Sequence, residues 1–353
     1  MKKFFILGVS LFLILVDTGC SQKVDFINEA TQDIDFLPID QELGSTPLVE
    51  DSCSNWLNLP YYKSKSRLVF NTDLIFFLNC HSLEETELVG YDLRNESEVF
   101  KIKMPYAHDI KASSKSQEII LLEKPDKIKV LDFSGRLLRS IHLPISIIDL
   151  LETDYGFLIY GYSKANQNSS KPALFKYLLN DSSLTRLSNG ADLWSSSELN
   201  RTNNSMISTG DNKVLLNPPG TNFLYEIDES NGEIRNSALI KTKNTSSIPK
   251  IHNRDSKTFL IDGFVLQLTT TKEYQVLNVF FKGVFKNIIM SKSNSQFKLS
   301  MTNIEGGLYS FGKRLIKIEE HSENSNLFRL KFLKNKKYLN EKNNHLLTSS
   351  TNN

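Results

Sequence analysis

Cysteine is scarce in this chain: Cys20, Cys53 and Cys80 are the only three in 353 residues. There is no C-x-x-C and no Cys/His pair at zinc-finger spacing, which argues against a structural zinc site. An excess of either charge is missing too. Lys plus Arg number 42 and Asp plus Glu 40, a formal net charge of +2, too balanced for a chain whose task is to grip nucleic acid or an acidic membrane face. Long amphipathic helical patterns are scarce, and no apolar run reaches the roughly 20 residues that span a bilayer. A Walker A loop, H-E-x-x-H, an EF-hand loop and a G-x-S-x-G elbow are all absent, so no local motif names a reaction. What is present is apolar material: 40% hydrophobic and 10% aromatic residues against 23% charged. That is enough for one large core or two ordinary ones and excludes a disordered or collagen-like chain.

The first residues read as an export signal. Lys2 and Lys3 precede an apolar run from Phe4 to Val16, the length of a secretory h-region and too short to span. The run ends in Thr18-Gly19-Cys20, two small residues and a cysteine. This stretch resembles a bacterial lipobox, although Asp17 stands where that pattern prefers Leu. The resemblance implies that Cys20 carries a lipid and becomes the N-terminus after residues 1–19 are removed, several acyl chains giving stable anchoring. The mature chain then holds 40 basic and 39 acidic residues. Ser21 to Asp25 loosely resembles the polar and acidic signals that send Bacteroidetes lipoproteins to the outer membrane, and a plain solvated tether reads equally well. From Lys23 to Asp51 there is one basic residue against eight acidic ones, an acidic leader. In an oxidising compartment Cys53 and Cys80 could pair, closing a loop of about 27 residues for about 3 kcal/mol if unstrained. Alternatively, Cys80 at the end of LIFFLNC is a small buried hydrophobe.

From about residue 66 to 333, short alternating or fully apolar runs bounded by Asn, Gly, Asp and Ser recur, the signature of an all-β chain. One phrase repeats: an aromatic-rich strand ending near Asp or Tyr, a polar turn, then a strand of alternating basic and aliphatic residues. It reads ELVGYDLRNESEVFKIKMP from Glu87, KIKVLDFSGRLLRSIHLP from Lys127, ALFKYLLNDSSLTRL from Ala173 and FLYEIDESNGEIRNSALI from Phe223. Weaker copies follow, EYQVLNVFFKGVFKNII from Glu273 and KRLIKIEEHSENSNLFRLKFL from Lys313. A spacing of roughly 40 to 50 residues is the period of a four-stranded propeller blade. Each phrase is expected to be the outer hairpin of its blade, with an inner pair just upstream, and six pairs predict six blades. Runs such as Leu74 to Leu78 and Glu118 to Leu122 suit blades buried on both faces. DIDFLPID, Asp33 to Asp40, alternates acid and apolar residues and is expected to complete the last blade, with Pro38 favouring an edge.

This layout resembles the six-bladed β-propeller lipoproteins of Bacteroidetes, a TolB-like or NHL-like group, over about residues 30 to 333. The expected organisation is a signal peptide 1–19, a tether 20–32, a propeller of four-stranded antiparallel blades 33–334 and a polar tail 335–353. A β-sandwich or a five- or seven-bladed ring is the competing reading. The resemblance implies an exported, membrane-anchored protein, placed at the outer membrane on its periplasmic or cell-surface face.

Propeller sites are assembled from the inner strands of different blades, so their residues are scattered. His108 and Asp109, after Met104-Pro105, and Asp149 at a similar place in the next blade are the polar candidates for a channel metal, calcium or zinc, or a general base. Capping of a turn is the plainer reading of each. Trp194, in the polar loop Ser188 to Asn204, is a candidate binding platform; Trp56 reads as a platform or as core. Ser295 and Lys298 form an S-x-x-K without its companion motifs, Asp228 to Glu233 reads as a hairpin turn, and Arg329, Lys331, Lys334, Lys336 and Lys337 as a solvated strand face and tail. Asn95 and Asn244 are N-x-Ser/Thr sites without evident meaning. These features predict a lipid-anchored envelope module that binds a protein or extracellular ligand, with no predicted cofactor and no nucleic acid. The alternatives are a hydrolase or lyase of the lactonase or glycan-processing kind with a channel metal, and an envelope scaffold.

Overall fold

The computed structural model describes residues between 34 and 335, with internal gaps of which 59–66, 164–171, 188–204 and 242–264 are the longest. The expected signal peptide and tether with Cys20, together with Trp194, Asn244, Ser295 and the residues beyond 335, lie outside the described residues. All six blades belong to one compact unit, Asp35–Asn353.

Four short strands come first: β1 (Ile34–Pro38), β2 (Gly44–Ser45), β3 (Leu48–Cys53) and β4 (Leu57–Asn58). Blade 1 follows as β5 (Arg67–Asn71), β6 (Leu74–Cys80), β7 (Thr86–Asp92) and β8 (Ser97–Lys103). Blade 2 is β9 (Ala107–Ser113), β10 (Glu118–Glu123), β11 (Lys127–Asp132) and β12 (Leu137–His142). Blade 3 is β13 (Ile145–Thr153), β14 (Gly156–Ser163), β15 (Ala173–Leu178) and β16 (Leu184–Arg186). Blade 4 is β17 (Met206–Gly210), β18 (Lys213–Leu216), β19 (Phe223–Asp228) and β20 (Ile234–Lys241). Blade 5 is β21 (Val265–Thr270), β22 (Gln275–Phe281), β23 (Val284–Ser293) and β24 (Gln296–Glu305). Blade 6 takes only β25 (Leu308–Phe311), β26 (Arg314–Glu320) and β27 (Leu327–Asn335) from this end of the chain. The fold is a six-bladed β-propeller of antiparallel four-stranded blades.

The apolar runs explain why a ring forms. On β10, Ile119 and Leu121 pack with Phe76, Leu78 and Leu88 of blade 1, while the alternate residues Ile120 and Leu122 pack with Phe157, Ile159 and Phe175 of blade 3. Since successive side chains of a strand leave opposite faces, a strand apolar at every position must be covered on both sides. The same alternation holds on β14, where Phe157 and Ile159 face blade 2 and Leu158 and Tyr160 face blade 4. The pattern yields six apolar cores, one between each pair of neighbouring blades, the last joining Ile316, Phe328 and Leu330 of blade 6 to Ile75, Phe77 and Val89 of blade 1.

Ring closure corrects one expectation. DIDFLPID does not complete the last blade; its strand β1 adds to the outer edge of blade 4 beside β20. Blade 6 is completed by β3, whose Cys53, Ser52 and Val49 pair with Lys331, Phe332 and Lys334 of β27. The reason is burial: Leu48 of β3 is 1% exposed and sits with Leu308, Leu315 and Leu333 in the core between blades 5 and 6. Lys331 adds an ion pair to Glu50 at 3.2 Å and another to Glu319 at 2.9 Å. β2 meanwhile runs parallel to β24 at the edge of blade 5. The repeated phrase marks the outer hairpin in blades 1 to 4, as expected. In blades 5 and 6 it marks the middle hairpins β22–β23 and β26–β27, because the outer strands there are β24 and the borrowed β3.

The outer hairpins turn on a repeated aspartate. Asp92, Asp132, Asp181 and Asp228 each accept a backbone N–H two residues on, at 2.8 to 3.0 Å, the Asx-turn geometry that starts a tight reversal. In the segment 228–233, this bond and Glu233 N–H to Asn231 Oδ1 at 2.9 Å make the hairpin turn read from the sequence. The Ser230 hydroxyl and the Arg235 guanidinium hold the Asp228 carboxyl down, from an ordinary 3.8 to about 2.

Two outcomes test closure and turns. Leu48→Ala is expected to lower the unfolding free energy by about 2 to 5 kcal/mol, the cost of a buried Leu truncation, measured by chemical denaturation; a change below about 0.5 kcal/mol would remove β3 from the ring-closing role. A depressed carboxyl stabilises the fold above its ordinary pKa and loses that contribution as pH falls through the folded value. The melting-temperature advantage of the native chain over Asp228→Asn is therefore expected to be full above about pH 5 and to vanish on approach to pH 2.

Candidate functional site

The six first strands, β5, β9, β13, β17, β21 and β25, surround the central channel, and polar side chains on them tie one blade to the next. On β9, Asp109 is buried and receives Arg67 of β5, with Nη1 to Oδ1 at 2.7 Å. Burial alone pushes the Asp109 carboxyl up, but the charges of Arg67, Lys111 and His108 together with the Arg67 hydrogen bond outweigh it and hold it below its ordinary value. Lys111, two residues further along β9, reaches Asp149 of β13, with Nζ to Oδ1 at 2.6 Å. Asp149 is 2% exposed. It accepts two more hydrogen bonds, from the Leu150 N–H to Oδ1 at 2.7 Å and from the Met206 N–H at the start of β17 to Oδ2 at 2.9 Å.

One carboxylate thus joins blades 2, 3 and 4. Further round, the Gln267 amide and the Thr269 hydroxyl of β21 donate to the Leu308 carbonyl of β25, at 3.3 and 3.0 Å. These contacts form a polar belt around the channel wall.

The structure therefore brings Asp109 and Asp149 into one belt through cations that sequence reading passed over, Arg67 and Lys111. An A-x-D-x-K alternation on β9, which puts Asp109 and Lys111 on the same strand face, was the available signal. Asp109 is committed to a cation, and Asp149 to a cation and two backbone donors. His108 is half-buried beside Asp109. Among the described residues no group of three or more His, Cys, Asp or Glu side chains stands close enough to hold a metal ion.

Beyond the belt, toward the C-terminal ends of the first strands, lies a cavity of about 760 Å³ to which all six first strands contribute. Its walls are mixed. Leu68, Phe70 and Leu151 supply apolar surface, while Ser113, Thr153, Ser208, Gln267, Thr269 and Ser310 supply hydroxyl and amide groups. Lys111 stands at the belt side, and Glu152, Asp154 and Glu229 stand in the sector of blades 3 and 4. Lys115 pairs with Asp154, and Ser116 donates to Glu152 at 3.0 Å. Burial and the neighbouring Asp154 push the Glu229 carboxyl above its ordinary value. The Tyr155 hydroxyl donates to the Glu229 carbonyl at 3.0 Å, and Lys176 lies 4.1 Å from the Tyr155 ring centroid. Of these rim residues the sequence reading touched only Glu229, within the hairpin turn Asp228 to Glu233, because polar residues in and beside turns are ordinary.

Elsewhere, Trp56 is neither core nor bare: it is 38% exposed, edge-on to His321 at 4.8 Å and beneath the Arg329 guanidinium at 4.9 Å. Arg329 also pairs with Glu319. Cys53 is an exposed free thiol on β3 of the closing blade, and Cys80 ends β6 of blade 1.

Comparison with known proteins agrees with this architecture. Residues 105–275, just under half of the chain, match the model of a family described as a 6-bladed beta-propeller. A crystal structure of a Bacteroides fragilis protein, provisionally described as exported, superposes with a TM-score of 0.52 at 12% identity, covering 86% of this chain and 100% of that one. BamB from Moraxella catarrhalis gives a TM-score of 0.42 at 11% identity, covering 80% of this chain and 99% of that one. The beta-propeller domain of Cps50 (Swd1) from Myceliophteria thermophila also gives 0.42, at 12% identity over 74% of this chain and 95% of that one. No curated protein matches the chain.

If the belt is a structural fastening, Asp149→Ala is expected to cost about 3 to 5 kcal/mol of stability, since it removes the acceptor shared by a half-buried ammonium and two backbone N–H groups. Adding Lys111→Met should restore part of that loss by removing the stranded charge. Denaturant melts of the two single variants and the double variant check this, and strictly additive losses would contradict the pairing.

Proposed function

We propose that this chain is a lipid-anchored β-propeller of the cell envelope that binds a protein or extracellular ligand in the mouth of its central channel. The observation that carries the reading is the cavity of about 760 Å³ built by all six first strands, within the size range of small-molecule and side-chain pockets. The belt beneath it is already engaged in joining blades. The walls above it combine apolar surface with hydroxyl and carboxylate groups, the mixture that orients a ligand. Anchoring is supported by Lys2 and Lys3, the apolar run to Val16 and the Thr18-Gly19-Cys20 end. The likeness in fold to a Bacteroides fragilis protein provisionally described as exported agrees with that address.

The test has two arms. Expressed in a Gram-negative host fed an alkyne fatty acid, the native chain should take up label and Cys20→Ser should not; equal labelling of both would remove the anchor from Cys20. Screened as full chain in detergent against glycan and peptide arrays, the protein should bind ligands whose affinity falls by about tenfold or more when Ser208→Trp or Ser310→Trp fills the mouth. Ligands indifferent to both substitutions would place binding elsewhere and overturn the reading.

A further inference from the structure

An outer edge strand offers unpaired N–H and C=O groups, and soluble proteins cover or blunt such edges. Five of the six blades do so among the described residues. Blade 4 is covered by β1 and blade 5 by β2. Blade 6 ends in β3, which carries Glu50 and Asp51 and shares β27 with β4. Blade 3 ends in β16, three residues long. Blade 1 ends in β8, where Glu98, Lys101 and Lys103 are all exposed. Blade 2 ends in β12, LLRSIH, six residues long and free of acidic side chains. Its Leu137 and Leu138 are 51% and 41% exposed, two of the five large apolar residues that stand out from the described surface.

We propose that β12 is a docking edge for an extended segment of a partner protein in which acidic and apolar residues alternate. The chain itself supplies the precedent. β20 is the counterpart of β12 in blade 4 and reads IRNSALIK, with the same mixture of basic and aliphatic residues. It carries β1, the centre of the acidic and apolar stretch DIDFLPID.

A bulge is one of the devices that turns an edge away from pairing, and β12 has one. Val130 pairs with Arg139 and Leu131 with Leu137, leaving Leu138 as the extra residue. β20 has the equivalent bulge, because Glu226 pairs with Asn236 and Ile227 with Ile234, leaving Arg235 extra. β1 nevertheless adds to that strand, so a bulge in an outer strand does not by itself exclude addition along it. Arg139 and His142 lie along β12, each paired within its own blade, with Glu118 and Asp126. Extended-segment addition of this kind draws affinity from main-chain hydrogen bonds and specificity from alternate side chains. This surface lies on the rim of the ring, separate from the channel mouth, and stands or falls independently of it.

The experiment uses the full chain in detergent and a fluorescent peptide of residues 32–42, QDIDFLPIDQE, as the probe. Saturable binding by anisotropy is expected, weakened about tenfold or more by Leu137→Glu with Leu138→Glu and absent for a peptide with every Asp changed to Lys. Both leucines are exposed, so the melting temperature should be unchanged; Leu137→Ser with Leu138→Ser provides a milder pair that tests the same edge if the glutamates disturb the blade. Absence of saturable binding overturns the proposal. So does binding that ignores both pairs of substitutions, which would mark exchange with β1 at blade 4. A dimer in sedimentation that the substitutions dissolve would give the edge to a second copy of the chain and overturn the partner.

Discussion

Burial on both faces of every blade is the constraint from which the rest of this structure follows. Phe76 and Phe77, adjacent on β6, belong to different cores, and the same is true of Ile119 and Ile120 on β10. A single blade would leave both members of each pair in water, at roughly 1.5 to 3 kcal/mol per large side chain. Six blades bury all of them only if the ring closes, and closure needs a strand that arrives from the other end of the sequence. β3 is that strand, fastened by Leu48 on the core side and by the Lys331 pairs on the outside. The leader before it is used on the way, β1 and β2 covering the edges of blades 4 and 5.

The channel divides into two levels with different work. At the belt, charges and amides are spent on holding blades together: Asp149 alone satisfies a lysine and two backbone N–H groups. Such a buried pair is costly to break and adds little over an apolar substitute, so its value here is register, fixing three first strands relative to one another. Above it the wall turns outward into a cavity lined by hydroxyls and carboxylates. Rigid inner strands below and turn residues above are the arrangement in which a stable scaffold presents a variable site.

Much of the fold was legible because the blade repeat rests on local chemistry. Aspartate-led turns and strands apolar at every position recur in blades 1 to 4, and there both hairpins of each blade were placed correctly. The reading slipped by one strand in blades 5 and 6, where β24 carries Lys298, Thr302 and Asn303 among its apolar residues and the last outer strand lies some 275 residues away in the chain. Pairing across that distance leaves no local trace, which is why DIDFLPID was read as the closing strand and Leu48 to Cys53 was not considered. The site was less legible still. Asp109 and Asp149 stood out as polar residues at blade starts, but their partners Arg67, Lys111 and Met206 are set by the packing of neighbouring blades, not by spacing in the sequence. The rim residues Glu152, Asp154 and Glu229 carry no pattern that separates them from ordinary turn residues.

The most direct measurement is native-state hydrogen exchange on the second strands of all six blades, β6, β10, β14, β18, β22 and β26. If two-faced burial makes the closed ring the unit of stability, their slowest amides should exchange with one common opening free energy, equal to that of global unfolding. Blades that open separately, with blade 6 and its borrowed strand far below the others, would contradict it.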